Sequence, residues 1–112
     1  MAESGSLLAV NDRNFSEQIL KSEVPALVDF WADWCEPCLT IASLIEELAK
    51  EYGGRIKVAK FKVEENPRTP EQFGVRGIPT LIFFKHGRVF DRLVGVVSKD
   101  RLRQTVEKAI TP

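Results

Sequence analysis

Ala26-Leu27-Val28-Asp29-Phe30-Trp31-Ala32 is apolar at every position but one. A strand with one wet face alternates polar and apolar residues. One that is apolar throughout must be covered on both sides, so this stretch predicts a central strand in a sheet flanked by helices on both faces. The 112 residues suit one core rather than two. With 44% apolar and 29% charged residues the composition is that of an ordinary globular domain, which argues against a disordered chain or a disulfide-dense miniature scaffold. Sixteen basic residues balance sixteen acidic ones, so the charge footprint expected of a nucleic-acid or anionic-membrane binder is missing. The longest apolar run, Leu93 to Val97, is far short of the roughly 20 residues a spanning helix needs. Residues 1–6 are expected to form a flexible N-terminus and 7–112 a single domain. The start carries an acid and no base, and Leu7 to Val10 is too short for a secretory core, which points to the cytoplasm.

Pro25, Gly53-Gly54, Asn66-Pro67, Gly74 and Gly87 divide the chain into short elements. Leu7 to Val10 reads as a strand, and Asn14 with Glu17 three residues on reads as the cap of a helix ending near Lys21. Apolar residues at 38, 41, 45, 48 and 52 predict a helix from Pro37 to Tyr52, closed by Gly53-Gly54. Ile56 to Val63 is a strand, and Asn66-Pro67 opens a short helix that stops at Gly74. Thr80 to Phe84 and Val89 to Val94 form a hairpin across Lys85-His86-Gly87-Arg88, and Ser98 caps a last helix striped at 102, 106, 109 and 110. The order is β-α-β-α-β-α-β-β-α. Strands joined through helices pair in parallel and the hairpin adds antiparallel pairing, giving a mixed α/β sheet.

The two cysteines, Cys35 and Cys38, fall where the central strand yields to the long helix. Unpaired amides and the helix dipole gather there and stabilise a thiolate. Pro37 fits the first helical turn, where its missing N–H costs nothing. Residues three apart share a helix face, so the sulfurs can close a disulfide. Cys35 is expected to be the exposed nucleophile and Cys38 the sheltered resolving thiol. The rival readings are inert core cysteines or a zinc half-site. Two cysteines and His86 cannot fill four zinc positions unless acids or a second chain contribute, so no metal is expected and His86 reads as a surface residue.

Asp29 interrupts the central strand, where a buried charge is costly. Burial should raise its pKa and let it exchange a proton with Cys38. Lys60 has the parity of Ile56 and Val58, so it points to their face and approaches Asp29 from the next strand. The bland alternatives are an aspartate at a strand edge and a solvated lysine.

Val28-Asp29-Phe30-Trp31-Ala32-Asp33-Trp34-Cys35, Val75-Arg76-Gly77-Ile78-Pro79-Thr80, Lys85-His86-Gly87 and Gly95 together resemble the thioredoxin family over about residues 10–110. The resemblance implies a mixed five-stranded sheet with four flanking helices and a cis Ile78-Pro79 bond beside the dithiol. It also implies an exposed rim of Trp34, Gly77, Ile78, Pro79, Val94 and Gly95, with Val63 a further candidate and Trp31 packed beneath. In such a turn the Ile78 backbone would pair with an extended substrate segment. Three departures stand out. Glu36-Pro37 replaces Gly-Pro between the cysteines, Leu39 replaces a basic residue, and Ser43 replaces a helix-kinking proline, so the long helix should run straighter. Glu36 and Leu39 both disfavour a thiolate and so favour a more reducing couple. Glu36 also stands to repel acidic partners.

The expected activity is thiol–disulfide exchange that reduces protein disulfides, with a flavin-dependent thioredoxin reductase as electron donor and no cofactor beyond the Cys35–Cys38 disulfide. The protein is expected to be a monomer. The alternatives are a disulfide isomerase or oxidase, which needs an unusually stable thiolate, and a redox-indifferent module that uses the dithiol face only for docking.

Overall fold

The structure, a computed structural model, describes residues 7–112; the expected flexible N-terminus lies outside the described residues. The apolar stretch forms β2 (Ala26–Trp31), whose neighbours are β3 (Lys57–Lys62) and β4 (Thr80–Lys85). With β1 (Leu8–Val10) and β5 (Arg88–Val94) at the edges, the order across the sheet is β1-β3-β2-β4-β5. β3 runs parallel to both β1 and β2, and β4 is antiparallel to both β2 and β5.

Both faces of β2 are covered, as its composition requires. On one face Leu27, Val58, Leu81 and Phe83 meet α1 (Glu36–Tyr52) and α3 (Lys99–Ile110) through Ile41, Ile45, Leu48, Leu102 and Val106. On the other, Val28, Phe30, Phe61, Ile82 and Phe84 pack on Phe15 and Ile19. Phe15 is the hub there, with the rings of Phe30, Phe61, Phe73 and Phe84 at 6.4, 6.0, 5.6 and 5.5 Å. Such tilted and edge-on pairs add to simple area burial. α1 is one uninterrupted helix through Ser43, ended by Gly53 at φ 44°, and Ser98 caps α3 by accepting from the Arg101 amide at 3.1 Å.

Three local expectations are corrected. The first helix is a five-residue π-helical segment, Ser16–Leu20, without a side-chain cap. Asn14 is engaged elsewhere: Asn11 and Asn14 exchange backbone-to-side-chain bonds, with the Asn11 carboxamide also accepting from Arg13. The hairpin turn is two residues, not four, because Lys85 and Arg88 already pair. His86 and Gly87 both take positive φ, 54° and 78°, matching the twist of the strands they join. A Cβ on Gly87 would lie 3.0 Å from the Leu20 carbonyl oxygen. The third correction concerns α2 (Arg68–Gln72), whose cap comes not from Asn66 but from Asp12, 56 residues upstream. The Asp12 carboxylate accepts from the Arg68 and Thr69 amides at 3.0 and 2.8 Å, while the Asn66 side-chain Oδ1 accepts from the Asp12 backbone amide at 3.1 Å.

Candidate active site

Cys35 stands at the N-cap of α1 and Cys38 in its first turn. The chain leaves β2 at Trp31, turns through Asp33 and Trp34 and coils from Glu36; the Cα atoms of the two cysteines lie 5.3 Å apart and their sulfurs are joined as a disulfide. The Cys35 sulfur accepts from the Cys38 amide at 3.2 Å, so a free backbone donor of the helix start already points at the atom that would carry charge. The expected exposure of Cys35 is corrected, because both cysteines are buried. Cys35 is 5% exposed and Cys38 2%, since both pack with Ala32 against Trp31, Val63 and Ile78. Cys35 is therefore sheltered in the disulfide form rather than standing open at a turn tip.

The Ile78-Pro79 bond is cis, and Pro79 itself is buried rather than part of an exposed rim. The Gly95 amide donates to the Pro79 carbonyl at 2.8 Å, which ties the end of β5 to the cis turn. Thr80 pairs with Val94 across the same edge, and the Thr80 hydroxyl donates to the Gly77 carbonyl. Trp34 is 68% exposed and Val94 63%, so both are available for docking, as is Leu39 at 51%. Between Trp34 and the Gly77-Ile78 turn runs a groove of about 340 Å³, whose wall continues through Val63, Pro70, Val75 and Arg76. Pro70 carried no signal in the sequence; Val75 and Arg76 lay within a motif but had no role attached to them. Glu36 is exposed at the first position of α1 and Pro37 follows it.

Asp29 is fully buried in the middle of β2, on the face that Leu27 shares with α1. Neither carboxylate oxygen has a hydrogen-bonding partner. Burial pushes its pKa up to about 6, and the positive charge of Lys60 restrains the rise. Lys60 is the register partner of Asp29 and lies on the same face, yet its ammonium sits 4.2 Å from the centroid of the Trp31 ring. The expected approach is met in backbone register and not in an ion pair. The other cation on this ring, Lys62 at 5.6 Å, is bound to Asp33 at 2.8 Å.

His86 lies at the far end of β4 from Pro79, about 20 Å away at the usual strand rise. Among the described residues no three or more His, Cys, Asp or Glu side chains gather as a metal site, and no helix is long and apolar enough to cross a membrane.

The thioredoxin family profile matches residues 6–108. The chain is 52% identical over 99 residues to thioredoxin of Acidithiobacillus ferridurans, an alignment covering 88% of this chain and 92% of that protein. It is 50% identical over 99 residues to thioredoxin 1 of a Nostoc species, with the same coverage. Against the M-type chloroplastic thioredoxin of Pisum sativum it is 50% identical over 101 residues, covering 90% of this chain and 59% of that protein. The chain belongs to the thioredoxin family, and its Cys35–Cys38 pair makes it a thiol–disulfide oxidoreductase of the protein-disulfide-reductase kind.

Proposed function

We propose that the chain reduces disulfides in other proteins, with Cys35 as the attacking thiolate and Cys38 as the resolving thiol. The Cys35 thiolate attacks one sulfur of the substrate disulfide; a bond forms between them and the other substrate sulfur leaves as a thiolate. Cys38 then gives its proton to the ionised Asp29 carboxylate and attacks the Cys35 sulfur, expelling the second substrate sulfur. Two electrons pass to the substrate and the Cys35–Cys38 bond is restored. The observation that carries this reading is the dithiol at the start of α1, with an amide aimed at the Cys35 sulfur and the cis Pro79 turn beside it.

Substrate would lie in the groove between Trp34 and Ile78 as an extended segment paired with the Ile78 backbone. Reducing equivalents would come from a flavin-dependent thioredoxin reductase, and the chain works as a monomer in a reducing cytoplasm with no cofactor beyond its own dithiol.

The test is reduction of a disulfide-linked two-chain protein, coupled to such a reductase and NADPH. The Cys35→Ser variant should lose all turnover, and Cys38→Ser should accumulate a covalent mixed disulfide with substrate. Turnover that survives Cys35→Ser, or a Cys38→Ser variant that traps nothing, would overturn the assignment of roles.

A further inference from the structure

Lys60 is placed by the sheet register directly beside Asp29, yet the two form no ion pair and both Asp29 oxygens stay without a partner. The Lys60 ammonium instead lies 4.2 Å from the Trp31 ring centroid. Trp31 is two residues beyond Asp29 on β2, so the ring, the acid and the lysine share one face. A cation over an indole face is attracted by the negative face of the ring. The second cation near that ring, Lys62, is held by the Asp33 carboxylate at 2.8 Å and stays farther off at 5.6 Å, leaving the ring to Lys60. Among the described residues, the buried faces of the elements packed around Asp29 carry no other charged side chain. Its partner on β4 is Leu81. The buried residues of α1 are Cys38, Ile41, Ile45, Leu48, Ala49 and Tyr52, and those of α3 are Leu102, Thr105, Val106 and Ala109. Tyr52, and Cys38 once reduced, can titrate; Lys60 is the one cation beside Asp29 among the described residues.

We propose that Trp31 is a positioning residue that draws the Lys60 ammonium onto its ring and off the Asp29 carboxyl, so that the acid is not locked into an ion pair with the lysine. The electrostatics run the same way: burial raises the proton affinity of Asp29 and Lys60 lowers it, so the closeness of the lysine sets the balance. The role of Asp29 toward Cys38 rests on the function proposed above; the placement of Lys60 by Trp31 does not.

The test is a pH titration of the Asp29 side-chain carboxyl by carbon-13 NMR in the oxidised full chain, for Trp31→Leu, Lys60→Met and the double variant. Trp31→Leu should lower the midpoint by on the order of one pH unit as Lys60 falls back on the acid. Lys60→Met should raise it, and adding Trp31→Leu to Lys60→Met should bring no drop. An unmoved midpoint in Trp31→Leu would overturn the proposal. So would an equal drop in both backgrounds, because the ring would then act only by excluding water. Trp31→Phe, with a smaller and weaker ring, should give an intermediate midpoint and a null effect in the Lys60→Met background; this pair decides by the same rule if Trp31→Leu does not fold. Alkylation of Cys38 against pH in the reduced protein separates the two claims. A shifted Asp29 midpoint with unshifted Cys38 reactivity would remove Asp29 from the exchange and leave the positioning by Trp31 intact.

Discussion

Asp12 and Asp29 are the same residue type in opposite surroundings. Desolvation works upward on both. At Asp12 it is outweighed by the Thr69 and Arg68 amides at the start of α2, and the carboxyl ends below its usual range. Asp29 has no donor at all and is pushed up to about 6. Two amides turn an acid into a cap; their absence leaves an acid able to trade protons. The sheet interior thus keeps a destabilising group where the helix start keeps a stabilising one, and only the first lies on the sheet face that α1 covers.

The sharpest way to break this contrast is Asp29→Asn, which removes the proton acceptor but keeps the shape. Disulfide reduction at pH 7 should fall about a hundredfold, at the low end of what a positioned acid or base contributes, read as kcat/KM in the coupled assay. An unchanged rate would leave Asp29 a mere relic of burial. The same variant has a thermodynamic signature. The folded state holds the Asp29 proton up to about 6, whereas the unfolded chain loses it near 3.9. Stability therefore declines as pH rises through that window, by ~3 kcal/mol at full effect. Urea unfolding should show Asp29→Asn gaining about that much at pH 7 relative to its difference from wild type at pH 4.

Asp12 should titrate with the opposite sign. Its depressed pKa makes its contribution present above the unfolded value and lost as pH falls through the folded one. Asp12→Ala should cost about 1 kcal/mol, the usual worth of a cap, while reduction kinetics with small disulfides stay unchanged. A third acid, Glu36, is exposed at the helix start beside Cys35. It disfavours the thiolate, so Glu36→Gly should raise the reduction potential by about 10 mV, a small shift because exposed charges are screened. Redox equilibration with glutathione checks it, and a fall would reverse the sign of the argument.

Much of this architecture could be read from local signals. The fully apolar β2, the helix spacing of α1, Gly53 and Ser98 each depend on residues close in sequence, and the dithiol sits on the boundary between two such elements. Asp29 was legible for the same reason, as a charge in an apolar run. What escaped depends on distant residues meeting. The cap on α2 arrives from 56 positions away. Pro70 joins the groove only because α2 packs beside the cis turn. Lys60 had the right face, but its choice of an indole over a carboxylate depends on three side chains from two strands. Cys35 looked exposed because its helix position is, and it is covered by Ile78 and Val63 from other parts of the chain.

The clasp between Asp12 and α2 reaches further than the helix it closes. Pro70 on α2 and the stretch through Val75 to Ile78 build one bank of the cleft where a client would lie. That bank is moored to the outset of the fold, just past β1. If clients lie there as proposed, loosening the mooring would weaken the hold on large ones while the sulfur chemistry itself carried on undisturbed.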